Sequence, residues 1–384
     1  MPIIQSFPNF FQNTPDQTLH DIKTITTYMH THYGAKCYVV GGAVRDRLLG
    51  VDSKDYDIEC YGIGVEAFEV AMAKFGAQGV GKSFFVYKYH GIDIALPRTE
   101  KKTAYGHRGF EIALATDPKE ASSRRDFTIN ALMYNIENET IVDYWGGVDD
   151  LRDRILRVVD EDSFVEDSLR VLRAMQFAAR FGFKIEEKSC QLCQTISLDD
   201  LPKERIFGEF EKMFHGGYLH YGLYYLFALK IAEKLWNEKI TKHHFMALAK
   251  ALFRYQPHFI HRLRPYYFLF MLLPYLGSSS ETILARLGAS NSYFKKLIGQ
   301  ALPPKIECSF IARKALKEGI VNYVGNYHPK VRELAAQLRV WDTPFQSGVT
   351  PVMLIAKGLE GKALGEALHQ AIEEKIKELN ENCS

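Results

Sequence analysis

Apolar and polar positions change rhythm twice along this chain. Residues 1–36 carry helical spacing and predict a short helical lead-in. From residue 37 short β-prone runs take over. Cys37–Val40 is stopped by Gly41-Gly42, and a short helix from Ala43 to Leu49 follows, ending at Gly50. Asp55–Cys60 alternates and predicts a second strand. Val65–Phe75 returns to helical spacing, while Phe84–Tyr89 and Ile92–Leu96 flank His90-Gly91 as a hairpin. Pro97–Glu120 is long and polar, rich in Lys, Arg, Thr and Gly, a kind of segment that is usually functional or mobile inside a compact domain. From residue 161 the pattern is almost entirely helical, with breaks at Gly182, Pro202, Gly216 and several prolines beyond. The prediction is an α+β chain: a small mixed-sheet head over 37–160, then helices to residue 384.

Composition narrows the picture only a little. At 47% hydrophobic and 24% charged, the chain is an ordinary globular one, long enough for about two to four domains. A net charge of +2 means that any nucleic-acid binding rests on locally concentrated cations. Six scattered cysteines are too sparse for a disulfide scaffold and read as a reducing, cytoplasmic setting. The opening MPIIQSFPNFFQ has no basic stretch followed by an apolar one, so no secretory leader is expected. The most apolar run, Tyr266–Leu276, is broken by Pro274 and too short for a bilayer, so it reads as a buried helix.

Three constellations carry chemistry. In Gly41-Gly42-Ala43-Val44-Arg45-Asp46, two glycines at a strand-to-helix turn let backbone N–H groups approach a phosphate, and Arg45 adds a charged donor. Downstream, Asp55 and Asp57 stand two apart on a strand, so both carboxylates share a face with Cα atoms about 7 Å apart. That arrangement suits hard divalent cations and two-metal phosphoryl transfer. Alone, a D-x-D pair is most often solvated surface acid; in order behind the glycine turn it is far more specific. Asp93, after the hairpin, reads equally well as a third carboxylate or as a strand-edge acid. The second constellation, Arg124-Arg125-Asp126-Phe127-Thr128-Ile129-Asn130, sets two arginines before an apolar-periodic helix, suited to a triphosphate or sugar clamp or simply a basic helix start. In the third, Val165, Leu169, Leu172 and Ala179 form a core stripe, and Asp167, Arg170 and Arg173 lie largely off it. An i, i+3 ion pair is the bland account of these charges. The sharper one is base reading. A carboxylate accepts from an exocyclic amine and a guanidinium donates to a ring nitrogen, an order that cytosine and adenine both offer and that uracil and guanine reverse.

These motifs resemble the class II tRNA nucleotidyltransferase and bacterial poly(A) polymerase family. The likeness runs through VVGGAVRD and KDYDIE, then RRDFTINAL, DYWGGVDDLRDRILRVV and EDSLRVLRAMQFAARFGF, and KGLEGKALGEAL near the end is similar to a tail segment. The resemblance implies a nucleotidyltransferase head at 37–160 behind the 1–36 lead-in, an all-α neck at 161–215, and a body and tail at 216–384 that bind tRNA. It implies that Asp55 and Asp57 are catalytic Mg²⁺ ligands and that Gly42, Arg45 and Arg125 contact the nucleotide. It makes Asp167 and Arg170 the base-edge readers, with Arg173 also at the nucleotide. The implied reaction adds CCA to the 3′ end of tRNA from CTP and ATP, releasing pyrophosphate. Poly(A) polymerase or a split CC- or A-adding enzyme is the same-class alternative. A catalytically silent RNA-binding paralogue is the different-class one, and clustered carboxylates beside an anionic ligand speak against it. Pro97–Glu120 resembles the family's flexible loop, which helps switch from C to A addition. Where the family usually has Arg this chain has Gln176, so no nucleotide contact is carried over, and its place on the apolar side suggests a structural role.

Other groupings are weaker. Cys190-x-x-Cys193 lacks a second ligand pair and reads as two small buried residues, and His20-Asp21 stands alone. The stretches His261–Tyr267 and Arg313–Arg339 interleave basic and aromatic residues, which fits RNA phosphates and a solvated helix face about equally.

Overall fold

The computed structural model describes residues 2–53, 55–80, 85–102 and 110–382. The strands are β1 (Ile3–Ser6), β2 (Lys36–Val40), β3 (Tyr56–Tyr61), β4 (Gln78–Gly79), β5 (Val86–Tyr89), β6 (Ile92–Ala95), β7 (Arg98–Lys102), β8 (Phe110–Leu114), β9 (Met133–Asn135) and β10 (Thr140–Asp143), with a short β11 (Ile155–Leu156) and β12 (Lys184–Ile185). Eight of them form one mixed sheet in the order β1-β10-β9-β2-β3-β6-β5-β4. Its parallel pair, β3 and β6, requires a crossover, and helix Val65–Lys74 lies within that connection.

Two cores flank the sheet. On one side α1 (Asp16–Tyr33) and α3 (Val65–Lys74) supply the fully buried Ile22, Ile25, Met29, Phe68 and Met72, packed with Val39, Ile58 and Ile94. On the other, Tyr38, Val40, Tyr61, Met133 and Val142 make a smaller cluster with Ala115 and Ala121. Asp57 is directly opposite Val40 and Asp93, and Glu59 is opposite Tyr38 and Ala95. Residues paired across strands share a face, so the acids stand on the side of the thinner core. A sheet face left partly uncovered is where a ligand reaches the strands.

The head departs from its sequence pattern in three places. Residues 3–6 are not helical: β1 pairs antiparallel with β10 and joins the lead-in to the sheet. All four are exposed, so no alternation of burial marks them as strand. Past Arg124-Arg125 there is no helix but one 3₁₀ turn, Thr128–Asn130, running into β9. The polar segment after Pro97 is a β7–β8 pair, in register from Arg98–Leu114 to Lys102–Phe110, followed by α4 (Pro118–Ser123), whose N-cap Asp117 accepts from the Lys119 amide. Residues 103–109 of the anticipated Pro97–Glu120 loop lie outside the described residues.

Beyond α5 (Gly147–Asp153) the expected long neck helix is broken into α6 (Glu161–Phe164) and α7 (Leu169–Phe181). Val165 lies between them and is 44% exposed, so it is not on the core stripe; Leu169, Leu172 and Ala179 are. The region is not purely helical either, since β12 returns to pair in parallel with β11. α7 packs against the helices Lys203–Phe214 and Leu219–Ala228. The turn between those two closes tightly: a Cβ at Gly216 would stand 2.5 Å from the Ala179 carbonyl oxygen, so only glycine fits. Helices continue to Asn382, and the apolar run is the buried helix Arg264–Leu272 followed by a 3₁₀ turn. Among the described residues no helix is long and apolar enough to cross a membrane.

Candidate active site

A cleft of about 680 Å³ opens between the sheet's thin-core face and α7. Gly42, Arg45, Asp57, Arg125, Asp167, Arg170 and Arg173 all line it, although they span more than a hundred residues of chain. Asp55 does not line it; it is exposed just before β3, and its backbone oxygen accepts from Ser53 Oγ at 2.7 Å.

The glycine turn shapes one wall. Gly41 has φ +70° and its Cβ would stand 3.2 Å from Arg125 Nη1, so the absent side chain is what lets that guanidinium lie against the turn. Gly42 opens α2 (Gly42–Leu48), a helix too short for its dipole to count for much. Arg45, in that helix, is 4% exposed. Its Nε donates to Asp46 at 2.8 Å, its Nη1 to Asn130 Oδ1, and its guanidinium lies 4.8 Å from the Phe181 ring. Burial lowers its pKa, and Asp46 acts in the opposite direction. Asp46 in turn meets Arg180 at 3.2 Å.

Arg125 donates to Glu59 Oε1 at 2.8 Å. Burial alone would lower its pKa, but Glu59 and Asp57 outweigh that and the net shift is upward. Asp57, solvent-open at the cleft floor, has its carboxyl raised by desolvation first; Arg125 lowers it, and Asp93, Glu59 and Asp55 raise it further. Asp93 is held by Lys88 at 3.2 Å. These acids repel one another in a shared space, the condition a divalent cation relieves. Among the described residues no three converge as a finished metal cage. The donor set suits a site completed by the triphosphate itself, the usual habit of magnesium.

At the opposite wall the i, i+3 ion pair that would have been the bland account of Asp167 and Arg170 does not form. Asp167 accepts from the Leu169 amide at 3.1 Å and faces Arg205 at 3.7 Å. Arg170 donates to the carbonyls of Ser163 at 2.7 Å and Arg124 at 2.6 Å. Burial lowers its pKa, with Asp126 and Asp167 acting against it. Arg173 Nε meets Asp126 Oδ2 at 2.7 Å. Asp126 is 6% exposed and also accepts from the Phe127 amide and Asn130 Nδ2, both at 2.8 Å. Its burial raises its pKa, yet Arg173 and Asn130 together hold the carboxyl below the usual range.

Glu59, Asp126 and Asn130 were not singled out from sequence. Glu59 continues the Asp55, Asp57 alternation and was detectable that way. Asp126 and Asn130 had no such signal, because their roles come from a 3₁₀ turn that only packing produces. Gln176 is 3% exposed, in keeping with a structural role, and it also borders the cleft. Cys193 is buried and Cys190 half-buried, both free. Asp21 is buried and meets His90 Nδ1 at 2.9 Å, tying α1 to the β5–β6 hairpin rather than serving the cleft.

A mixed sheet with an acid-bearing floor, a glycine turn and an arginine-lined helical wall border one cleft whose charges suit a nucleoside triphosphate. Residues 37–157 match the Poly A polymerase head domain, and residues 182–240 match a probable RNA and SrmB-binding site of polymerase A. Over these two segments, which together make up less than half of the chain, the likeness is to poly(A) polymerases. It is 43% identical over 190 residues to the Multifunctional CCA protein of Stenotrophomonas maltophilia, covering 46% of this chain and 45% of that one. It is 42% identical over 186 residues to the Multifunctional CCA protein of Vibrio vulnificus, covering 46% and 44%. The match thus spans less than half the length of these relatives. Its fold is that of the Thermotoga maritima CCA-adding enzyme complexed with tRNA, with a TM-score of 0.71 at 23% identity over 100% of this chain and 97% of that one. The Bacillus stearothermophilus CCA-adding enzyme in complex with CTP has a TM-score of 0.65 at 22% identity, over 95% and 94%.

Proposed function

We propose that this chain is a template-independent tRNA nucleotidyltransferase that adds CCA to the tRNA 3′ end from CTP and ATP. The observation that carries the reading is the polarity of this cleft, with glycine turn, Arg45, Arg125 and Asp57 on one side and Asp167, Arg170 and Arg173 on the other. The triphosphate lies along the first side, where the Gly41-Gly42 amides and Arg125 bind its oxygens. The base lies against the second, where Asp167 accepts from the exocyclic amine and Arg170 donates to the ring nitrogen. Arg173, locked by Asp126, supports that wall and the nucleotide's sugar–phosphate. Cytosine and adenine satisfy this donor–acceptor order; uracil and guanine oppose it.

The terminal 3′-hydroxyl attacks the α-phosphorus in line and pyrophosphate leaves. Asp57 with Asp55, and Asp93 once Lys88 turns away, would hold Mg²⁺. When bound, that cation supplies activation of the attacking hydroxyl and neutralisation of the departing phosphates. The chain's own residues orient the hydroxyl and α-phosphorus, and α7 closes the base side against water. The head at 37–160 incorporates β1 and α1 of the lead-in, the 161–215 neck bears the base readers, and the 216–384 body and tail carry the tRNA. The test is incubation with tRNAs ending at the discriminator base, at C and at CC, with each nucleoside triphosphate separately. Addition of C, C and then one A supports the reading. A run of A on any 3′ end would make the chain a poly(A) polymerase, and no addition at all would overturn the enzyme reading.

A further inference from the structure

The catalytic cleft has a corner that neither of its two walls accounts for. Gln176 and Arg180 on α7 meet Lys212, His215 and Gly216 there, from helix Lys203–Phe214 and the turn after it. The two helices run side by side in the same direction: Asp167 faces Arg205 at one end, and the Ala179 carbonyl accepts from the Tyr218 amide at the other. Lys212 therefore stands alongside the C-terminal half of α7. From Arg170 to Arg180 that helix advances about 15 Å. With a base at the Arg170 end, the last two phosphates of a triphosphate fall at this corner, beyond Arg45, which lies 5.4 Å from the Phe177 ring and 4.8 Å from the Phe181 ring.

Three side chains here have features that packing alone does not require. Lys212 donates to Glu209 Oε1 at 2.7 Å. An i, i+3 pair between exposed groups is worth little and needs no special account. This pair is of another kind, because Glu209 is 3% exposed and its Oε2 accepts no hydrogen bond among the described residues. A buried carboxylate with an unmet oxygen is costly, and the fold bears that cost where the acid can hold an ammonium at the edge of the cleft. The charge of Glu209 also reaches the adjoining wall: burial would lower the pKa of Arg173, and Asp126 first, with Glu209 after it, turns the net shift upward. Gln176 is buried as well, and its carboxamide borders the cleft with no hydrogen bond to any described residue. Its burial suits packing, but its unpartnered amide does not. Amide N–H groups and an ammonium, beside the Arg180 guanidinium, are donors that phosphate oxygens satisfy.

We propose that Lys212 binds the β- and γ-phosphates of the incoming nucleotide and the pyrophosphate they become, with Glu209 positioning it and the Gln176 amide as a second donor. This rests on the nucleotidyltransferase reading for the identity of the anion. When the 3′-oxygen bonds to the α-phosphorus, the bond from that phosphorus to the bridging oxygen breaks. Its electron pair stays on that oxygen, and the hydroxyl proton passes to water. The leaving group thus gains one negative charge, and Lys212 stabilises it without giving up a proton. The contact is independent of the base, so it serves CTP and ATP alike.

The experiment titrates the full chain with CTP, CMP and pyrophosphate by calorimetry, with magnesium and without tRNA, in wild type, K212Q, K212R and E209Q. Circular dichroism and Tm check that each variant is folded. K212Q is expected to weaken CTP and pyrophosphate by about tenfold, near the lower end for a hydrogen bond to a charged group, and to leave CMP within about twofold. K212R keeps the charge and stays within about threefold of wild type, and E209Q shows the same selective loss at a smaller size. In steady state K212Q lowers kcat/KM for CTP and ATP by the same factor and leaves their preference over UTP unchanged. Equal losses for CTP and CMP would make Lys212 a structural residue and overturn the proposal. So would CTP and pyrophosphate affinities that do not change, whether or not tRNA binding falls. Wild-type CTP affinity in E209Q would deny Glu209 its positioning role. A wild type that binds pyrophosphate through Lys212 yet adds no nucleotide to tRNA would retire the transferase reading and leave this inference standing, so the two fail in different measurements.

Discussion

The two walls of the cleft hold their arginines by opposite means. On the proposed phosphate side Arg45 and Arg125 are each paired with a carboxylate, Asp46 and Glu59. On the proposed base side Arg170 is held by two backbone carbonyls and makes no ion pair among the described residues. A carboxylate partner lends rigidity but offsets charge, which a triphosphate with several negative oxygens tolerates. Carbonyls orient a guanidinium without neutralising it, and they leave its remaining N–H groups free to discriminate one ring atom from another. Asp126 does for Arg173 what Asp46 does for Arg45, and it lies between the walls, bonded to the same Asn130 that accepts from Arg45.

The comparison breaks most completely at the cleft floor. Asp57→Ala is expected to reduce nucleotide incorporation to background while tRNA affinity stays near wild type, read by labelled-nucleotide transfer beside a binding titration. Turnover near wild type in magnesium would remove Asp57 from the chemistry. Next in size is Asp126→Asn, which leaves the half-buried Arg173 without its counter-charge. A fully buried pair costs about 3–5 kcal/mol to break, and solvent reaching Arg173 places the expected loss below that range, read by urea unfolding at neutral pH. Because the Asp126 carboxyl is held below its ordinary value of 3.8 in the folded protein, its stabilisation is present above that pH. It is lost as pH falls through the lowered folded value, and the Asn variant should be less sensitive to pH across that window. A wild type and a variant that unfold with the same acid dependence would deny Asp126 this role.

The base wall should give a smaller and more specific effect. Arg170→Ala is expected to lose about one to two decades of preference for CTP over UTP, since a good base contact is worth about 1–3 kcal/mol. The measurement is kcat/KM for CTP, UTP, ATP and GTP; an equal fall for all four would make Arg170 structural. The smallest effect is expected at Glu59→Gln, which keeps the shape but weakens the hold on Arg125. KM for nucleotide should rise about tenfold, near the lower end for a hydrogen bond to a charged group, with kcat less affected. An unchanged KM would mean that the glycine turn alone positions Arg125.

Local chemistry in the sequence determined much of this protein. Glycines at a turn, an i, i+2 pair of acids and charges off an apolar helical stripe are short-range patterns, and each led to a residue at or beside the cleft. The strand at 56–61 was legible from its alternation, and those at 36–40 and 86–95 from β-prone runs bounded by glycine turns. Tertiary structure decided what depends on partners distant in the chain. Ile3–Ser6 becomes a strand because β10 offers an unpaired edge, although all four residues are exposed and show no pattern of their own. The run after Arg125 carries helical spacing yet turns into β9, because Met133 and Tyr134 find β2 alongside and the ladder outweighs weak local propensity. Asp167 and Arg170 stand one helical turn apart and still do not pair. Arg205, Ser163 and Arg124 reach them first, and hydrogen bonds made through folding compete on equal terms with those that spacing suggests.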